Sequence, residues 1–102
     1  MDDENSMISM TIIANSGDAR SFAFEALEEA KAGNFEAADE LLEKSKASAG
    51  IAHKAQTDLL VKEANGDKQE IDVLLVHSQD HLMTSMLAYE LIKEIILLYK
   101  NK

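Results

Sequence analysis

The chain has no proline anywhere in its 102 residues, and its turn signals fall at only two places. Proline is the strongest helix breaker, so its absence permits long uninterrupted helices. The first turn signal is "AGNFE", where Gly33 suits the left-handed position that closes a helix and Asn34 suits the cap of the next. The second is "EANGDKQE", where Asn65 and Gly66 end a helix. There, Asp67 followed three residues later by Glu70 resembles a capping box with Asp as the capping residue. No alternating strand pattern lies between these signals. The reading is three helices over residues 7–32, 35–64 and 70–100, with ends placed to within about three residues. Residues 1–6 are expected to fray.

Thirty-residue helices are about 45 Å long. Short turns make neighbours in sequence antiparallel, so the expected fold is all-α, a single-domain, up-down-up three-helix bundle spanning residues 1–102.

Composition narrows the function. The chain is 46% hydrophobic and 28% charged, which fits a folded domain rather than disorder. A net charge of −9 repels nucleic acid and anionic lipid, and no apolar run reaches the roughly 18 residues that a membrane span needs. The acidic start "MDDENSMIS" is unlike a secretory signal. Cysteine is absent, which excludes disulfides, thiolate metal sites and a cysteine nucleophile, and suits the cytoplasm.

The helical stripes say more. Helix 2 has one seam: Ala38, Leu41, Leu42, Ser45, Ala49, Ala52, Gln56, Leu59 and Leu60. Helix 3 has two. One runs from Ile71 through Leu74, Leu75, Ser78, Leu82, Ser85, Tyr89, Ile92, Ile95 and Ile96 to Tyr99. The other is Val73, Val76, Asp80, Met83, Leu87, Leu91 and Leu98. A three-helix monomer needs one stripe per helix. The second stripe is therefore either a generous core face or, the preferred reading, a surface for association with further copies.

Helix 1 carries "NSGDARS". Gly17 costs about 1 kcal/mol against Ala inside a helix, and with Ala19 it would admit a close backbone approach. Arg20, the only arginine, is expected to pair with a carboxylate; a place near an anion is the lesser reading. Met7, Met10, Met83 and Met86 read as core or interface filler.

The stretch "LLVHSQDHLMTSM" holds the chemistry. His77 and His81 are four apart and share a helix side, while Asp80 lies three after His77. Three readings compete. The imidazoles are satisfied interfacial groups; or His77 and His81 ligate zinc with Asp80 or His53 as a third ligand; or His77 is a nucleophile toward phosphorus. In the last case His81 or Gln79 would hold the phosphoryl oxygens. No Glu follows His77, so metalloprotease logic is absent. His53, Gln56 and Thr57 form a further polar cluster, read as satisfied groups between helices.

The run "VHSQDHLMTSML" at Val76–Leu87 resembles the active-site signature of the enzyme IIA component of the lactose/cellobiose (chitobiose) branch of the PEP-dependent sugar phosphotransferase system. The runs "IIANSGDARS", "EALEEAKAGNFEAADELL" and "AHKAQTDLL" resemble family segments in the same order. The resemblance implies a cytoplasmic phosphocarrier. His77 would accept a phosphoryl group on Nε2 from the carrier HPr and pass it to a cysteine of the cognate IIB component. Gln79 and His81 match motif positions placed beside that group. It further implies a homotrimer, a nine-helix bundle, in which the Asp80 residues of three copies share Mg²⁺ on the axis. The helix-1 "NSG" and "MTSMLA" resemble the cellobiose/chitobiose members more than the lactose ones.

Overall fold

The computed structural model describes residues 3–102. It contains three helices, α1 (Asp3–Lys31), α2 (Phe35–Ala64) and α3 (Val73–Lys100), and no strand among the described residues. The molecule measures 52 × 20 × 17 Å, the shape of a few long rods laid side by side.

Ion pairs at the two ends fix the directions. Lys62, late in α2, reaches Glu4 at the start of α1 at 2.9 Å. Lys100, at the end of α3, reaches both oxygens of Asp39 near the start of α2, at 2.8 and 3.0 Å. Successive helices are therefore antiparallel. Such surface pairs stabilise by no more than about 1 kcal/mol each.

The core comes from spacing. In α1 the buried positions are Ser9, Ile12, Ser16, Ala19, Ala23, Ala26 and Ala30, alternating steps of three and four along one face. Nearly all are small, so the other two helices come close to the α1 backbone. The Ser45 hydroxyl donates to the Ala19 carbonyl at 2.6 Å across this contact. Larger residues fill each end. Ile12, Ala52, Leu59 and Leu82 form one cluster, and Leu42, Ile92 and Ile96 close on the α1 alanines in the other. α2 and α3 touch each other far less than either touches α1. A furrow therefore runs between them.

Both helix ends anticipated at glycine are present. Gly33 and Gly66 have φ of 84° and 90°, a region that costs glycine little. Each closes its helix with paired bonds of the Schellman type: Gly33 N–H to Ala30 O with Asn34 N–H to Glu29 O, and Gly66 N–H to Glu63 O with Asp67 N–H to Lys62 O.

Several expectations are corrected. α1 begins at Asp3, four residues before the anticipated start at Met7; Met1 and Asp2 lie outside the described residues. Asn34 precedes α2 but makes no side-chain cap bond; its amide donates to Glu29 Oε2 at 2.9 Å. α3 starts three residues later than anticipated. Its cap is Asp72, whose carboxylate accepts from Leu75 N–H at 2.8 Å, and the Asp67–Glu70 capping box does not form. The chain from Asp67 to Asp72 lies outside any helix, so Glu70 is not set one turn into a helix above Asp67. Ile71 consequently lies before α3 and is 80% exposed instead of in the core stripe. Ile95 and Leu60 also stand at the surface. A side chain built on Gly17 would meet nothing within 4 Å, so that glycine admits no close approach within the protomer. Arg20 makes no ion pair among the described residues. Its guanidinium sits 5.5 Å from the ring of Phe24, one turn on, the expected geometry of a cation–π contact.

Candidate functional site

The register of α3 against the core places the site. Ser78, Leu82, Ser85, Ile92 and Ile96 are buried. The two serines satisfy themselves on their own helix, Ser78 Oγ donating to Leu75 O at 2.6 Å and Ser85 Oγ to Leu82 O at 3.1 Å. Small hydroxyl residues at these positions bring α3 close and leave no freedom of rotation. With Ser78 facing inward, the residue before it must lie at the side or outside. His77 is exposed and His81 half-buried. Their rings meet edge to face, centroids 4.4 Å apart and planes at 80°. An exposed imidazole is thus braced by a second one a turn later.

The second stripe of α3 is bare. Val73 is 85% exposed, Met83 and Leu98 each 70%, and Val76, Leu87 and Leu91 are all exposed too. Asp80 lies among them. The generous-core reading of that stripe therefore fails: none of its apolar members is covered by the chain's own helices. Met7, Met10, Met83 and Met86 are all exposed, so none of the four fills the core of the protomer. From His77 to Asp80 is about 60° around the helix, so the histidine stands at the border of the stripe. Thr84, which the sequence reading passed over, occupies the same side one turn on. Its hydroxyl donates to Asp80 O at 2.8 Å, with His81 O at 3.4 Å. The spacing of four from Asp80 was the available signal.

Other candidates are dispersed. Gln79 is turned toward α2, where it lines a hollow of about 190 Å³ with Gln56, Gln69, Leu59 and Leu75. Its amide donates to Ser78 Oγ at 3.3 Å. Within one protomer it therefore does not share the side of His77 and His81. His53 lies in another hollow of the α2–α3 furrow with Gly50, Met86, Tyr89 and Glu90. The cluster of His53, Gln56 and Thr57 is accordingly not one group of satisfied residues. His53 is exposed, Thr57 bonds only to the His53 carbonyl at 3.0 Å, and Gln56 Oε1 is buried without a partner. No set of three His, Cys, Asp or Glu able to hold a metal occurs among the described residues of the protomer. No helix among them is long and apolar enough to cross a membrane.

An exposed histidine in H-x-Q-D-H-L-M-T, beside an uncovered apolar stripe on the third of three helices, is a specific arrangement. Residues 7–100 match the family model for the lactose/cellobiose-specific IIA subunit of the PTS system. The chain belongs to this family. It is 48% identical, over 97% of its length and 95% of the relative's, to the lactose-specific EIIA component of Streptococcus mutans serotype c. The crystal structure of the cellobiose-specific enzyme IIA from Bacillus anthracis superposes with a TM-score of 0.91 at 50% identity, covering 93% of this chain and 87% of that one. The IIA(chitobiose) chain of an IIA–HPr complex from the Escherichia coli N,N'-diacetylchitobiose branch matches with a TM-score of 0.81 at 45% identity, covering 93% and 92%. The three-helix fold of this phosphotransferase-system IIA component is thus that of its relatives.

Proposed function

We propose that this IIA component is a cytoplasmic phosphoryl carrier and that His77 Nε2 is the acceptor. The observation that carries the reading is the exposed His77 ring held edge-on by His81 at the border of the bare α3 stripe. A neutral imidazole nitrogen has a lone pair for attack on phosphorus. In the first step His77 Nε2 forms a bond to the phosphorus carried by phospho-HPr; the donor's P–N bond breaks and its electron pair returns to the donor imidazole. In the second, the cysteine thiolate of the cognate IIB component forms a P–S bond as the P–Nε2 bond breaks. No net oxidation occurs, and positioning with charge stabilisation supplies the rate. His81 donates toward the phosphoryl oxygens from one turn away. HPr as the donor is supported by the solved IIA–HPr complex of the E. coli relative. The sugar served is of the cellobiose/chitobiose type.

The carrier acts as a homotrimer. Six exposed apolar residues in line on one helix are costly in water, and a closed rotation of three copies covers them with one another, giving nine helices. Asp80 then approaches its symmetry mates. Three such carboxylates repel, and their oxygens suit a hard cation such as Mg²⁺. Asp80 would hold that ion, which when bound supplies neutralising charge at the axis.

Radiolabelling from PEP through enzyme I and HPr tests the carrier role. Label enters the wild-type chain and not His77→Gln; equal label in both rejects the assignment.

A further inference from the structure

We propose that Asn65 is a modification site, converted spontaneously to aspartate and isoaspartate at a rate set by opening of the turn that closes α2. The reaction consumes only water and is independent of the chemistry at His77.

Asn65–Gly66 is the one asparagine–glycine pair in the chain. Both residues are exposed where α2 ends. In the first step the Gly66 amide nitrogen gives up its proton and bonds to Asn65 Cγ. The Cγ–Nδ2 bond breaks, ammonia leaves, and a five-membered succinimide is closed. Water then opens the ring. Attack at Cγ gives aspartate. Attack at the Asn65 main-chain carbonyl gives isoaspartate, in which the chain continues through the side chain. Glycine favours the closure because no Cβ crowds its nitrogen and its backbone rotates freely. The other asparagines are followed by Ser6, Ser16, Phe35 and Lys102, each with a side chain in the way. Asn15 and Asn34 also have their amides engaged, on Thr11 O and Glu29 Oε2, both at 2.9 Å.

The folded turn restrains this chemistry. The ring closes only when the Gly66 nitrogen swings to the Cβ side of Asn65, and the native ψ of 9° holds it elsewhere. Three bonds fix that backbone: Asn65 N–H to Val61 O, Gly66 N–H to Glu63 O and Asp67 N–H to Lys62 O, each 3.0 Å. Attack therefore awaits release of the last turn of α2. Helix ends open at far less cost than the whole fold, so the protection is partial.

The product does not fit the turn. Isoaspartate lengthens the main chain by one carbon between residues 65 and 66, so Gly66 and Asp67 no longer meet their carbonyls. Either product also places a negative charge at the C-terminal end of α2, against its dipole. Lys62 of the same turn holds Glu4 of α1, and the Gln69 amide holds Asp67 O at 2.7 Å, so loss of the turn loosens this end of the bundle.

The intact protein is incubated in mild alkali beside a peptide of residues 63–70, and fragmentation mass spectrometry separates aspartate from isoaspartate. Asn65 reacts before any other asparagine, roughly 10- to 100-fold more slowly than in the peptide, and urea removes the difference. The isoaspartate chain melts roughly 4–8 °C lower, as for loss of one helix cap. Asn65→Asp, which carries the charge without the longer main chain, loses less. Equal rates in protein and peptide overturn the inference. So does another asparagine reacting first, an unmodified Asn65 after on the order of 100 peptide half-lives, or an isoaspartate chain that melts with the wild type.

Discussion

The His77 and His81 rings lie 4.4 Å apart, edge to face, one helical turn from each other on the third helix. His81 is the more buried of the two, so it can brace and donate while His77 remains reachable. His81→Ala is expected to lower phosphoryl transfer by on the order of 100-fold with the helical content unchanged. Steady-state transfer kinetics with circular dichroism check both parts. A variant as fast as wild type removes His81 from the site.

Asp80 shares its stripe with apolar residues. Asp80→Leu is expected to leave the trimer intact or stabilise it by about 1–4 kcal/mol, since buried like charges are replaced by apolar contact. The variant trimer should also become indifferent to chelator and added Mg²⁺. Sedimentation equilibrium reads both, and dissociation of the variant to monomers counts against the axial placement.

Leu87 is exposed in the same stripe, two turns from Asp80. Leu87→Asp should give folded monomers, because a charge at that place cannot be covered by a second copy without a large desolvation cost. Light scattering distinguishes the species. A trimer that survives this change would move the interface elsewhere.

Asp72 caps α3 and so holds the turn that leads into His77. Asp72→Ala should cost about 1 kcal/mol, or roughly 4–8 °C in Tm for a chain of this size. Asp67→Ala should have far less effect, since its side chain caps nothing. Thermal unfolding of the two variants separates the cap observed from the one the sequence suggests.

Much of this architecture was legible before any coordinates. Gly33 and Gly66 marked both helix ends because left-handed residues there are costly for anything else. The two stripes of α3 mark one largely buried face and one exposed face, and the motif around His77 marked the family. What could not be read was decided by competition between neighbours. Asp67 and Glu70 have the spacing of a cap, yet the chain stays out of a helix until Asp72, whose carboxylate caps α3 instead. Arg20 had many carboxylates to choose from and lies instead over Phe24, the side chain one turn away. Gln79 is close to His77 in sequence and turned from it in space, a consequence of helical period that adjacency in a motif conceals.

The central claim is that His77 Nε2 carries the phosphoryl group. It is tested most directly on the intact protein phosphorylated by PEP, enzyme I and HPr, with site-localised mass spectrometry and imidazole nitrogen NMR. The account predicts one acid-labile phosphate per chain, on His77, bonded at Nε2. Phosphate found on His53 or His81 with His77 unmodified, or a His77→Gln chain that still takes phosphate, would contradict it.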